Sequence, residues 1–229
     1  ATVSGCAIRF LDRSSEESEE IGIDADRAII RNCSVFANYL DRIPAGSTGF
    51  QLGGSVVTNC NANSCATGFR VLGGKLEACV SRSNTIGFEV SNSASLQRCK
   101  HSRGTLGFSV GDGEDGVHLQ DCIALDVTSG SGFGFVVAGN RNRLINCQAD
   151  RNNSNFVITG DNNHLDECVS IGTAASGGAG FLSSGNNNTV VRSSAKNCSV
   201  NFALNASTKA GPIVNNPVNA TNPFSNFSN

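Results

Sequence analysis

The sequence predicts an all-β chain wound as one single-stranded, right-handed parallel β-helix of about nine coils, closed by an irregular tail. Three observations predict it. Cysteine recurs at positions 6, 33, 60, 79, 99, 122, 147 and 168, and a Gly-Phe or Asn-Phe pair falls between most of them. The residues around both landmarks alternate apolar and polar with the period of two that a strand requires, and no helical period competes. The spacing from cysteine to the next Phe is also constant: it is nine at Cys60, Cys79, Cys99 and Cys147. It is thirteen at Cys122 and Cys168 and seventeen at Cys33, so added residues enter at one turn in fours or eights.

The frames Leu76-Glu-Ala-Cys79-Val-Ser81, Leu119-Gln-Asp-Cys122-Ile-Ala124 and Leu144-Ile-Asn-Cys147-Gln-Ala149 define the first part of a coil. Leu points inward, the chain bends, and the small residue after the cysteine points inward again. Gly-Phe-x-Val then forms another strand, with Phe and Val on the inner face. Ile23 takes the Phe place of the first coil and Ser193 the cysteine place of the last. Stacking at ~4.8 Å per coil gives a rod on the order of 40 Å. The repeat assigns residues 1–208 to the helix and 209–229 to the tail.

The residue before Phe is Gly at 49, 68, 87, 107, 134 and 180 and Asn at 155 and 201, which predicts a left-handed turn opening that strand. Asparagine runs at Asn140–Asn142, Asn162–Asn163 and Asn186–Asn188 share one phase, so their amides are expected to bond one another along the rod. The repeated cysteines share one inward phase and are expected to pack as small hydrophobes; all ten cysteines are predicted to be free thiols. No Cys-x-x-Cys pair supports zinc.

Composition excludes some functions. The balance of 17 Lys+Arg against 19 Asp+Glu leaves no basic footprint for nucleic acid. No apolar run approaches the ~18 residues of a membrane span. The chain opens at Ala1 without a signal peptide, which reads as a processed or excised piece of something longer.

Candidate chemistry gathers in three places. Inserts after Cys6 and Cys33 put Asp12, Glu16, Glu17, Glu19 and Glu20 beside Tyr39, Asp41 and Arg42, a carbohydrate subsite or a hard-oxygen calcium site. The loop holding Asp112, Glu114, Asp115, His118 and Asp121 is the densest acidic cluster on the rod, a candidate acid/base pair for glycoside chemistry. Asp112, Glu114 and Asp115 are also the calcium candidates there. His118, Arg143 and His164 each lie four before a cysteine and form an outward column with Lys75, with Asp121, Asn146 and Glu167 three places on. Solvated loops and an ordinary polar face are the plain alternatives to each. After the repeat Phe, outward Gln51, Arg70, Glu89 and Ser109 give way to Val136, Val157, Leu182 and Ala203. This apolar stripe is expected to be covered by the tail from Ala210, which also blocks the last open edge, or by a second copy. The edge before Cys6 is another place for assembly, so the chain is read as a monomer or a homo-oligomer through either surface.

The pattern Gly-Phe-x-Val-x-Gly-x-Asn-Asn-x-Leu-x-x-Cys-x-Ala resembles the right-handed β-helix proteins of the NosD-like and pectate-lyase-like superfamily, over roughly residues 4–228. The resemblance implies the fold, and polysaccharide as the partner class, with lyases, hydrolases and epimerases among its members. The Asn-Thr-Asp, Gly-His-Gly and Arg-Ile-Lys signatures of polygalacturonases are absent, so no catalytic residue is carried over. Free thiols favour an intracellular setting and the resemblance a secreted or cell-surface one. Three functions follow as expectations: a non-catalytic binder or display surface for carbohydrate, a polysaccharide-cleaving or epimerising enzyme, or a structural rod.

Overall fold

The computed structural model describes residues 1–11, 20–38, 46–111, 115–173, 178–215 and 222–228. They form an all-β parallel solenoid with three sheets of ten, eleven and nine strands, with every inter-coil pairing parallel. One coil shows the plan. Lys75–Glu77 lies on the first face, Val80–Arg82 on the second and Ile86–Ser91 on the third. Each pairs in register with the equivalent strand of the next coil, as Leu76 does with Leu96, Ser81 with His101 and Phe88 with Phe108. The frame that begins at Leu76 is therefore two short strands with a corner between them.

The third face supplies the bulk of the core. Phe50, Phe69, Phe88, Phe108, Phe135, Phe156, Phe181 and Phe202 stack with centroids 4.7 to 5.1 Å apart and planes within 8°. Burying one such side chain stabilises the fold by about 1.5–3 kcal/mol, and ring stacking adds about 0.5–1.5 kcal/mol. These seven ring steps mark about seven regular turns, slightly fewer than the nine coils expected from spacing. The difference lies at the ends, where Ile23 replaces the aromatic and the tail replaces the last coil. Leu76, Leu96, Leu119, Leu144 and Leu165 fill the interior from the first face.

The corner between the first and second faces is built around cysteine. Cys33, Cys60, Cys79, Cys99, Cys122, Cys147 and Cys168 are buried, while Cys6, in the first coil, is exposed; all ten cysteines of the chain are free. Each buried corner thiol lies 3.2 to 3.5 Å from the carbonyl oxygen two residues earlier, as Cys79 does from Glu77 and Cys33 from Arg31. Ser193 does the same through its hydroxyl, 3.0 Å from the Val191 carbonyl. The residue between adopts a left-handed conformation whatever its type: Asn59 has φ 53°, Ala78 53°, Arg98 52° and Glu167 54°. Its N–H bonds the next coil, as Ala78 N–H does the Gln97 carbonyl at 3.0 Å. A side chain that disfavours this region costs about 1–2 kcal/mol there, which the corner and inter-coil bonds offset.

The glycines before Phe are not left-handed, contrary to the sequence expectation. Gly49, Gly68, Gly87, Gly107, Gly134 and Gly180 are absent from the positive-φ residues and lie within strands. They are small because the second face comes close. A Cβ on Gly49 would stand 3.0 Å from Ala62 Cβ, and one on Gly68 would stand 2.6 Å from Ser81 Oγ. Close approach, rather than backbone handedness, selects glycine.

The asparagine amides also bond differently from the expectation, since their partners are backbone groups of adjacent coils. Asn163 Oδ1 accepts from Asn142 N–H and Asn188 Oδ1 from Asn163 N–H, both at 2.8 Å. Their amide nitrogens donate to the carbonyls of Gly139 and Gly160 at 3.0 and 2.9 Å. Buried backbone groups at this second corner are thereby satisfied.

Among the described residues, the tail closes the open ends of two sheets, as expected, and none of its strands joins the third sheet that carries Val136, Val157, Leu182 and Ala203. Its strands continue the stack: Lys209–Ala210 pairs with Thr189–Val191, Asn226–Ser228 with Ser194–Lys196, and Ile213–Val214 with Asn226–Ser228. Asn226 takes over the corner role, accepting from Ser193 N–H at 2.9 Å and donating to the Val190 carbonyl at 2.8 Å. The tail so extends the first and second sheets, while Val200–Leu204 remains the edge of the third.

Candidate functional site

The first face carries the polar column read from the sequence. Lys75, Ser95, His118, Arg143, His164 and Thr189 are partners in successive coils, outward because Leu119, Leu144 and Leu165 beside them point in. Burial, and then the Arg143 charge, hold His118 below the usual imidazole range. Its Nε2 is buried without a partner among the described residues. His164 Nε2 lies 3.8 Å from Asp166 Oδ2. That carboxylate belongs to Arg192, whose Nε donates to Oδ1 at 2.7 Å and holds the Asp166 pKa below its ordinary value.

The acidic candidates are not gathered into an acid/base pair by what is described. Asp115 and Asp121 flank opposite ends of the strand His118–Gln120. Asp115 pairs with Arg141 of the next coil and Asp121 accepts from Asn146 Nδ2 at 2.7 Å. Each carboxylate is thus turned along the rod toward its own partner. Asp112 and Glu114 lie outside the described residues, as do Tyr39, Asp41 and Arg42 of the inserts. Among the described residues, no group of three or more His, Cys, Asp or Glu side chains gathers to hold a metal ion. The calcium expectation, which rests on Asp112, Glu114 and Asp115, gains no support from Asp115, whose Oδ2 faces Arg141.

Concave surface occurs elsewhere, on the second face. Arg9, Phe36, Asn63, Arg82, Ser102 and Leu125 pair in sequence across successive coils and point outward. At one end a groove of about 410 Å³ opens between Arg9, Phe36, Asn63 and Ser64. A second of about 190 Å³ shares Phe36 and Asn63 and reaches Val80 and Arg82. A third of about 300 Å³ continues from Arg82 to Lys100, Ser102, Arg103 and Asp126. Phe36 is 41 % exposed, although every Phe of the central stack from Phe50 to Phe181 is fully buried. Sequence reading missed this row because its members share no residue type from coil to coil; the one available signal was a lone aromatic at an outward strand position.

Comparison with known proteins adds little. No family model matches the chain, and no curated protein matches it. Among solved structures it is similar to a chain described as ORF18 of Geobacillus virus E2, at 11 % identity and a TM-score of 0.42. The alignment covers all of this chain and 52 % of that one, so this chain spans about half the length of the structure it resembles. The class that the coordinates define is the parallel β-solenoid repeat protein. Among the described residues, no helix is long and apolar enough to cross a membrane.

Proposed function

We propose that this solenoid binds or displays carbohydrate along the outer face of its second sheet, without catalysing a reaction on it. The observation that carries the reading is the exposed ring of Phe36, shared by two adjoining grooves and flanked by Asn63 and Arg9. A pyranose ring stacks its C–H face on an aromatic ring, while amides and guanidinium groups hydrogen-bond its hydroxyls. A rigid, in-register sheet holds these groups at a fixed step, so little ordering entropy opposes binding of an extended chain. The likeness of the repeat to the pectate-lyase-like superfamily supports the same partner class.

The non-catalytic part of the reading draws on Asp115 and Asp121, which are engaged by separate partners at opposite ends of one strand. Glycoside cleavage needs two carboxyl groups within about 5–9.5 Å of one bond. An assembly role is the second reading, favoured by Leu182 and Val200, which remain 36 % and 44 % exposed on the third face. Titration calorimetry with neutral hexasaccharides, on the protein and on Phe36→Ala, tests the proposal. Binding that weakens about tenfold in Phe36→Ala supports it. Absence of binding to every glycan tried, with light scattering showing stable oligomers, transfers the reading to assembly.

A further inference from the structure

We propose that Arg82, Lys100 and Arg103 form an oxyanion site that makes the second-face groove selective for an acidic glycan, one whose sugar rings carry carboxylate or sulfate. The inference rests on the carbohydrate reading and adds to it the charge class of the ligand.

Register places the three cations together. Arg82 is the inter-coil partner of Ser102, Arg103 follows Ser102, and Lys100 lies two places before it on the same outward side. All three line the third groove, of about 300 Å³. None makes a side-chain hydrogen bond or ion pair with any described residue. Arg9, Arg31 and Arg143 also lack a side-chain partner among the described residues, but the arginines beside carboxylates are matched: Arg98 with Glu77, Arg141 with Asp115, Arg151 with Asp126 and Asp150, Arg192 with Asp166. The one acid in the groove, Asp126, is already engaged by Arg151 Nε at 2.8 Å. A chain with net charge −2 therefore concentrates uncompensated positive charge in one concavity. Its neighbours Ser102 and Leu125 cannot neutralise it.

Two guanidinium groups and an ammonium around one depression suit an oxyanion, which accepts several charge-assisted hydrogen bonds at once. The groove runs on through Arg82 to Asn63 and Phe36, so a sugar ring stacked on Phe36 is continuous with a charged substituent held at Arg82. Carboxylate and sulfate share this chemistry, and nucleic acid is the competing polyanion. For nucleic acid the site is short of the aromatic repetition that stacks successive bases, because Phe36 is the only aromatic of the row from Arg9 to Leu125.

The test is titration calorimetry with four probes of matched length: an oligogalacturonate, a heparin-derived hexasaccharide, a neutral cellohexaose and single-stranded DNA. The proteins are the full chain, Arg82→Ala/Lys100→Ala and the charge-keeping Arg82→Lys/Lys100→Arg. One or both acidic glycans are expected to bind at least about tenfold more tightly than cellohexaose at ~50 mM salt. That advantage is expected to vanish in the alanine variant, survive in the charge-keeping variant and shrink at ~300 mM salt. Which acidic probe wins separates carboxylate from sulfate. Equal affinity for neutral and acidic glycans, or an unchanged advantage in the alanine variant, overturns the oxyanion site while the carbohydrate reading stands. DNA binding as tightly as the best glycan also overturns it. Failure of every glycan to bind overturns both.

Discussion

Gly87 lies so close to His101 that a Cβ added to it would stand 2.4 Å from the imidazole Cγ and 2.4 Å from the Gly107 carbonyl oxygen. This contact spans the coil from the third face to the second. It sets which residue types both faces tolerate: glycine before Phe, and Ala or Ser at most positions opposite. Gly87→Ala is therefore expected to destabilise the fold by about 3 kcal/mol, the upper range for overpacking. Gly5→Ala is the comparison, because Gly5 has positive φ (+69°) and nothing within 4 Å of its added Cβ. It is expected to cost about 1 kcal/mol. Urea unfolding of the two variants separates the effects.

His101 gives the fold an acid-sensitive point. It is fully buried, its Nδ1 lies 3.0 Å from Ser81 Oγ, and its Nε2 is without a partner among the described residues. Burial pushes its pKa down to about 4 from 6.5. Below the unfolded value the unfolded chain takes up the proton first, so stability falls as pH drops and levels off near the folded value. Over that window the loss is about 3 kcal/mol, and above it the neutral imidazole's contribution is fully present. His101→Asn is expected to lower stability at neutral pH and to flatten this part of the profile. Unfolding free energies measured between pH ~7 and ~4 give the comparison.

The thiols differ in accessibility more than in chemistry. Cys6 is exposed and Cys198 half-buried, while the other cysteines are buried. Burial raises the Cys65 thiol to about 12. A disulfide reagent under native conditions is expected to modify Cys6 quickly, Cys198 slowly and the buried thiols only on unfolding. Mass spectrometry of the labelled protein counts them. Cys122→Ser is expected to cost no more than about 1 kcal/mol, since Ser193 already makes the same corner bond with its hydroxyl.

The aromatic stack is expected to be the least forgiving part of the core. Phe135 touches a ring on each side, with centroids 4.7 and 4.9 Å away. Phe135→Ala removes two stacking contacts and leaves a cavity between fixed coils, at a cost of about 3–5 kcal/mol. Thermal unfolding measures it, and a loss below about 1 kcal/mol would mean that the coils collapse around the gap.

The columns built on one residue type were legible in the sequence: Phe50 to Phe202, the Leu positions and the cysteine corner repeat as identities. The left-handed corner was not, because Asn59, Ala78, Arg98 and Glu167 share a conformation without sharing a side chain. The role of the glycines was misread for a related reason. Gly68 and Ser81 are thirteen residues apart, and only closure of the coil brings them into contact. The first-face column His118, Arg143, His164 was placed correctly from its phase. The second-face groove escaped notice since outward residues are free to vary, and Phe36, Arg82 and Lys100 stand where other coils carry unrelated types. The tail's place on the open edges of the first two sheets was legible from its loss of repeat register. The cover over the third-face stripe is not met among the described residues, because the tail's strands pair with those unsatisfied edges.

In-register stacking decides which side chains share the groove, and a spin-label distance reads it directly. Asn63 and Asp150 are separated by four coil steps through Arg82, Ser102 and Leu125. With cysteines introduced at both positions in a Cys6→Ser/Cys198→Ser background, electron–electron resonance is expected to give one narrow distribution consistent with a backbone separation of about 19 Å. A broad distribution, or a centre displaced by a coil step or more after allowance for the label arms, would contradict the stacking and the groove together.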